Sequence, residues 1–444
     1  MQAVPPYAKR SRPTKRANID ASPLPSTQGK TFLQKLGPGL ITGASDDDPS
    51  GIATYSQTGA QFGYGMAWVT LYSYPLMIVI QEICARIGRV TGVGIAANIR
   101  RHCPRPLLFG IVSLLCLANV FNLGADLGAM GAAGRLLFGG SQLPYVVGFA
   151  AVSLALQIYI RYTTYVRYLK WLTLALFAYV LTAFVAHVEW TAALRSTFLP
   201  SISFDTKYFT TLTAVLGTTI SPYLFFWQAS EEAEDIRNNR QEHALKRAPR
   251  EAEEQFARIR VDTYAGMGLS NAVALFIILT TAATLHAAGI QEVETSAQAA
   301  KALEPLAGRF AFGLFALGII GTGLLAVPVL AGSAAYGIAE TFRWRASLEM
   351  RLKQAKPFYG VLAMATLVGL ALNFVGLNPI RALFWSAVIN GVVSVPLMVV
   401  TMRMAANPKV MGEFTLPPTL RVMGWVATAV MAAASAGLFL TLGR

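Results

Sequence analysis

Apolar runs long enough to cross a bilayer core of about 30 Å recur along nearly the whole chain of 444 residues. Charged residues make up 14% of the sequence, well below the roughly one quarter found in soluble domains. This pattern predicts an all-α integral membrane protein with eleven transmembrane helices. The predicted spans lie near 36–62, 65–88, 107–134, 142–160, 163–187, 207–230, 261–287, 308–341, 357–376, 379–402 and 421–442.

Loops rich in lysine and arginine alternate along the chain with loops that contain few of these residues. This alternation predicts the orientation of the chain. If the N-terminus is cytoplasmic, the loops on that side carry 30 of the 37 Lys and Arg residues, as the positive-inside rule requires. We therefore predict a bacterial-type inner (plasma) membrane protein with a cytoplasmic N-terminus, and we attribute the net charge of +14 to topology and not to nucleic-acid binding.

The chain divides into three predicted parts. Residues 1–32 are rich in Pro, Ser, Lys and Arg, a composition typical of a disordered tail. Residues 33–405 form the core, with halves at about 33–190 and 205–405, and residues 406–444 add one C-terminal transmembrane helix. The charged segment 236–260 between the halves is predicted to be a solvated amphipathic helix.

The first predicted span is interrupted by charge and by helix breakers. Asp46, Asp47 and Asp48 precede Pro49, and Gly51 follows. Proline costs about 3 kcal/mol inside a helix, and a charge near the bilayer centre costs at least about 2.5 kcal/mol. Irregular backbone at that depth is tolerated only where it lines a protein cavity. We therefore predict a broken helix that holds a transported metal cation.

The sixth predicted span repeats this interruption. It contains Gly217, Thr218, Ser221 and Pro222 near its middle. A simple proline kink would explain Pro222 alone. Interrupted spans at matching positions of two halves, however, are the best sequence indication of a transporter's central site, so the pair favours two related halves around a common site.

Three further polar residues inside predicted spans are candidates for a relay. Asp126 is either a proton or ion relay or the partner of a buried arginine. Glu82 is either a relay or a partner of Arg86 or Arg89. Asn390 is a mid-span amide. The sequence contains no phosphate-binding loop and no nucleophile constellation, so we predict no enzymatic activity, no cofactor and no obligate protein partner.

Several motifs resemble the NRAMP family of divalent metal transporters, over about residues 33–405. The family's first helix carries an Asp-Pro-Gly-Asn motif, which the stretch around Asp48 resembles. The resemblance implies two inverted five-helix repeats of the LeuT type, with helices 1 and 6 broken, and transport by alternating access. The motifs are Gly37-Pro38-Gly39-Leu40, Asp48-Pro49-Ser50-Gly51, Gln57-Thr58-Gly59-Ala60, Ala85-Arg86 to Thr91-Gly92, Ser221-Pro222-Tyr223, and Ala331-Gly332 with Glu340 to Trp344.

Departures from the family pattern bear on the ion. Asp48 keeps the metal-binding carboxylate, but Gly51 stands where the family has a coordinating Asn, and Ser221 replaces the metal-binding Met. A thioether favours transition metals, whereas oxygen ligands suit hard ions, and Mg²⁺ prefers to keep several waters. The chain is thus most similar to the NRAMP-related magnesium transporters, and we predict Mg²⁺ first and Mn²⁺ second as substrate.

The same comparison predicts weak or absent proton coupling. Tyr223 stands where the family has a His, and a phenol with an ordinary pKa near 10 is a poor proton carrier. The family's Gln in the tenth helix corresponds to Ala387, and Asp126 is the remaining acid in the third span.

The predicted site combines these residues. Asp48 is the principal charged ligand, and the other predicted contributors supply oxygen atoms from carbonyl and hydroxyl groups. Two alternatives stay open: a proton-coupled Mn²⁺ or Fe²⁺ importer of the ordinary NRAMP type, and a sodium-coupled amino-acid transporter of the same fold. The metal set is Asp48, Ser45, Gly51, Thr218 and Ser221; the surrounding or access set is Asp46, Asp47, Ser50, Gln57 and Tyr223.

Overall fold

The computed structural model describes residues 43, 46–169, 171–239 and 242–442. Within these residues all regular secondary structure is helical, as the hydropathy pattern predicts. The α-helices, in chain order, are α1 (Pro49–Phe62), α2 (Trp68–Thr91), α3 (Ile95–His102), α4 (Arg105–Phe138), α5 (Gln142–Tyr159), α6 (Tyr162–Leu169), α7 (Phe177–Val185), α8 (Trp190–Phe198), α9 (Thr206–Thr219), α10 (Pro222–Asn238), α11 (Ala252–Thr281), α12 (Ser296–Ala300), α13 (Glu304–Ala307), α14 (Ala311–Phe342), α15 (Lys356–Leu372), α16 (Pro379–Ala405), α17 (Pro408–Met411) and α18 (Pro418–Leu442).

Nine helical segments in the described part are long and apolar enough to cross a membrane, or ten if one bent pair counts as a span. The bent pair comprises Leu172–Val185 and Trp190–Phe198, which meet at 120°. The first predicted span, 36–62, lies partly outside the described residues. The predicted total of eleven spans, and the division at residues 32 and 405, therefore stay predictions.

Both predicted interruptions are present. Asp46 is helical, Asp47 lies in a bend, and Asp48 is extended with φ −71° and ψ 170° before α1 begins at Pro49. In the sixth span, α9 ends at Thr219 and α10 begins at Pro222. Proline has no N–H to donate and restricts the residue before it to extended backbone, so a new helix starts there instead of continuing.

Close contacts between backbones hold the broken segments against their neighbours. A Cβ atom at Gly217 of α9 would lie 2.1 Å from the Ala387 carbonyl oxygen of α16. A Cβ atom at Gly88 of α2 would lie 2.2 Å from the Ala229 carbonyl oxygen of α10. Small residues permit such approaches where helices pack in membranes, so α9 and α10 are each fixed by a neighbouring helix.

The prediction of a continuous amphipathic helix over 236–260 is wrong. Helix α10 ends at Asn238, residues 242–248 are irregular with a turn at 245–247, and α11 begins only at Ala252. The backbone N–H groups of Leu245 and Lys246 donate to the carbonyls of Arg89 and Val90, at 3.2 and 3.3 Å. The connection is therefore bound to the end of α2 and is not a free helix in solvent.

We expect Gly88→Ala to lower the thermal unfolding temperature of the purified protein. The added methyl would overlap the Ala229 carbonyl, and overpacking typically costs about 1–3 kcal/mol. Gly110→Ala in α4 is the matched control, because a Cβ there meets nothing within 4 Å. Equal unfolding temperatures for the two variants would contradict this packing.

Candidate metal site

The start of α1 is capped by the buried carboxylate of Asp48. The first N–H groups of any helix lack partners within the helix, and an aspartate at the N-cap position accepts from them. Here Asp48 Oδ1 accepts from the Gly51 N–H at 2.7 Å and from the Ser50 hydroxyl at 2.6 Å. The acid is 1% exposed, so these bonds replace hydration.

The second oxygen of Asp48 faces two other helices. Asp48 Oδ2 accepts from Asn122 Nδ2 of α4 at 3.1 Å and from the Tyr223 hydroxyl of α10 at 3.4 Å. The Ser386 hydroxyl of α16 lies 2.8 Å from Asn122 Oδ1 and 2.6 Å from the Leu383 carbonyl oxygen, so its one hydrogen is shared between the amide and its own helix. None of the ion pairs found in the described ranges includes Asp48. The carboxylate is thus held by neutral donors from several helices.

The two helix breaks meet at this carboxylate. A Cβ atom at Gly51 would lie 3.3 Å from Thr218 Oγ1 and 3.5 Å from the backbone oxygen of Asp46. The Ser221 hydroxyl lies 2.7 Å from the Thr218 carbonyl oxygen, to which it donates. The Thr218 hydroxyl and the Asp46 carbonyl therefore lie close to Gly51, and Tyr223 of the second interrupted span contacts Asp48.

Asp46 and Asp47 face a different helix from Asp48. The Ser270 hydroxyl of α11 lies 2.8 Å from Asp46 Oδ2 and 2.9 Å from Asp47 Oδ1. A hydroxyl has one hydrogen to donate, so it satisfies one of the two carboxylates at a time. Within the described residues, Asp46 Oδ1 has no hydrogen-bond partner. The predicted triplet is thus split between two sides of the broken segment.

Gln57 is engaged with a loop rather than with the site. Its Nε2 donates to the Gln291 carbonyl at 3.1 Å, and its Oε1 accepts from the Val293 N–H at 2.8 Å. Both ends of the amide are used, so this geometry lends no support to the prediction that Gln57 binds a water at the ion. Ser45, another predicted contributor, lies outside the described residues.

The three relay candidates differ in their surroundings. Glu82 pairs with Arg86 at 2.7 Å and accepts from the Tyr264 hydroxyl at 3.1 Å, which fits the ion-pair alternative. Asp126 and Asn390 are buried, and their side-chain oxygen and nitrogen atoms have no hydrogen-bond partner in the part of the chain that the structure describes. No ion pair to Asp126 occurs there either.

Three residues of the site were not predicted as members of it: Asn122, Ser386 and Ser270. Asn122 had a usable signal, since it is an amide within an apolar run. The two serines had none, because serine is common in membrane helices and its partner depends on the packing. No group of three His, Cys, Asp or Glu residues that could hold a metal is found over the described ranges. A metal here would need carbonyl and hydroxyl oxygens beside one carboxylate.

Two interrupted helices that meet at a buried acid define a multi-pass membrane protein of the LeuT type. The manganese transporter of Eremococcus coleocola, in complex with an aromatic bis-isothiourea compound, superposes with a TM-score of 0.74 at 18% identity, covering 95% of this chain and 89% of that one. MhsT in complex with L-phenylalanine gives a TM-score of 0.59 at 12% identity, covering 91% and 98%. At these identities the likeness establishes the fold.

The chain belongs to the Nramp family. The family model described as natural resistance-associated macrophage protein-like matches residues 39–441. The divalent metal cation transporter MntH of Klebsiella pneumoniae (strain 342) is 26% identical over 414 residues, which cover 90% of this chain and 92% of that protein. The predicted family is confirmed.

We expect Asn122→Ala to weaken divalent-cation binding about 10- to 100-fold, because groups that orient a metal-binding carboxylate typically contribute that much. Calorimetric titration with Mn²⁺ would measure it. Asn119→Ala is the matched control, since that amide lies one turn earlier on α4 and donates to the Leu330 carbonyl at 3.0 Å. An equal loss in both variants would show that Asn122 acts through packing alone.

Proposed function

We propose that this protein carries a divalent metal cation across the membrane by alternating access, with Asp48 as the principal charged ligand. The observation that carries the proposal is the position of this acid. It is buried between two helix breaks, and neutral donors hold it instead of an arginine or lysine. Acids at such depth bind ions, relay protons or pair with cations. The names of the bacterial relatives, which describe divalent metal and manganese transporters, agree with the first of these roles.

The remaining ligands are oxygens from the two breaks. We assign the Thr218 carbonyl to the metal, with the Ser221 hydroxyl turning from that carbonyl towards the ion or its water. The backbone at Gly51 and Ser45, and the hydroxyl of Ser50, complete the proposed donor set. Asp46 and Asp47 lie beside Ser270. We assign them a role in attracting the cation, while Asp48 binds it.

We propose Mg²⁺ as the preferred ion. The four groups hydrogen-bonded to Asp48 contain no sulfur, and the residue at the second break is Ser221 in place of a thioether. Oxygen donors suit hard cations, and a small ion that keeps part of its water fits a site with few protein ligands. Mn²⁺ is the second candidate, favoured by the manganese transporter of the same fold.

A sodium-coupled amino-acid transporter is the competing proposal. Its substrate carboxylate would bind at the positive ends of the half-helices. Asp48 already occupies the N-terminus of α1, and Asp46 and Asp47 add negative charge beside it, so an anionic group is disfavoured there. The likeness to MhsT is one of fold.

We place the protein in the plasma (inner) membrane, with the N-terminus cytoplasmic as the distribution of Lys and Arg predicts.

We expect Asp48→Asn to lower the rate of Mg²⁺ and Mn²⁺ uptake into liposomes at least about tenfold, because the substitution removes the charged ligand. Asparagine is an effective N-cap, so the unfolding temperature should change little. Asp48→Ala removes both functions and should also destabilise the fold. Metal uptake by Asp48→Asn at the wild-type rate, or amino-acid binding insensitive to this change, would refute the metal proposal.

We expect Gly51→Asn with Ser221→Met to shift transport from Mg²⁺ towards Mn²⁺, because the pair adds an amide oxygen and a soft sulfur. Thr218 must move by a few tenths of an ångström to admit the new Cβ. Gly51→Ala with Ser221→Leu is therefore the control, since it adds bulk without ligands. A shift of equal size in the control would mean that crowding, and not ligand chemistry, sets the preference.

We expect an inward proton gradient to leave metal uptake nearly unchanged, because Tyr223, and not an imidazole, contacts Asp48. Uptake into proteoliposomes at equal metal gradients, with and without an acidic exterior, would measure this, with an internal pH dye as the second readout. Metal entry driven by the acid exterior, accompanied by proton entry, would establish the proton-coupled alternative.

A further inference from the structure

A polar cavity lies at the end of α2, and Asp48 is not among the residues that line it. It lies between the end of α2, α3, the end of α10 and the connection that precedes α11, and its volume is about 480 Å³. That volume falls within the range of about 300–1,000 Å³ typical of small-molecule sites. Six basic side chains line it: Arg101, His102, Arg237, His243, Lys246 and Arg247.

The acidic side chain that lines this cavity does not neutralise its basic side chains. Glu242 is the acidic residue that lines it, and that carboxylate forms an ion pair with Arg89. Arg101, Arg247 and His243 form no ion pair within the described ranges.

We propose that this cavity binds a multiply charged phosphate group, carried either by a soluble compound or by a lipid headgroup. Guanidinium groups bind phosphate through paired hydrogen bonds, and Arg101 and Arg247 provide two such groups. The positive-inside rule accounts for basic residues on this predicted cytoplasmic side. It does not require them to converge on one cavity from α3, α10 and the connection.

The wall of the cavity is joined to the broken sixth span. Arg89, which pairs with Glu242, also pairs with Asp235 of α10 at 3.2 Å. The connection is hydrogen-bonded to the end of α2. An anion in the cavity thus contacts the segment that ties α2 to the helix beginning at Pro222. The inference stands independently of which ion the protein carries.

The test is a binding measurement on the full chain in neutral phosphatidylcholine nanodiscs, with EDTA present so that no metal complex enters the transport site. Radiolabelled ATP and inorganic pyrophosphate probe the soluble source. Co-purification of cardiolipin from mixed vesicles probes the lipid source. We expect Arg101→Gln with Arg247→Gln to weaken binding at least about tenfold.

Two further variants keep the outcome decisive. Arg345→Gln with Arg421→Gln removes two exposed arginines outside the cavity and should bind as the wild type does. Arg101→Lys with Arg247→Lys keeps the charge and should retain most binding. If the glutamine pair fails to fold, the single variants Arg101→Gln and Arg247→Gln replace it, and each should weaken binding.

If the glutamine variants of the cavity weaken the binding of ATP or pyrophosphate and the control pair does not, the ligand is a soluble compound. The same pattern for cardiolipin supports a lipid headgroup. Absence of binding by the wild type, or equal losses in the cavity and control variants, overturns the proposal. Metal transport by these variants would then report separately on the site at Asp48.

Discussion

The structure depends on how one buried carboxylate is satisfied. A charge in a low-dielectric interior is costly unless it is hydrogen-bonded or paired. Asp48 meets this requirement with donors from the start of its own helix and from α4 and α10. Each donor is neutral, and no ion pair of the described residues includes Asp48, so the carboxyl group remains available to a cation. The N-cap of α1 and the proposed ion ligand are thus the same group.

The breaks in the two spans are stabilised by their neighbours. The Ser394 hydroxyl of α16 donates to the Ile220 carbonyl at 2.9 Å, in the break between α9 and α10. Ser221 covers the Thr218 carbonyl in the same way. Irregular backbone inside a membrane protein requires such partners. The Thr218 carbonyl, which we propose as a metal ligand, therefore accepts a hydrogen bond from the Ser221 hydroxyl at the break itself.

The sequence was sufficient for the family, the helical class and the positions of both breaks, because proline, glycine and intramembrane acids carry large and local penalties. It was less informative where tertiary contacts decide. Nothing in the local pattern shows that Asp46 and Asp47 turn towards Ser270 while Asp48 turns towards Asn122. Nor does it show that Gln57 binds the loop at Val293, or that Leu245 anchors the connection predicted as a helix. These outcomes depend on which helices pack together.

The most direct test is the position of a bound metal. Crystals grown with Mn²⁺, measured at its absorption edge, would locate the ion by anomalous scattering. Our account predicts one strong peak between the Asp48 carboxylate and the Thr218 carbonyl, with oxygen atoms as its neighbours. A peak at Asp46 and Asp47 beside Ser270 with none at Asp48, or no intramembrane peak at saturating metal, would contradict it.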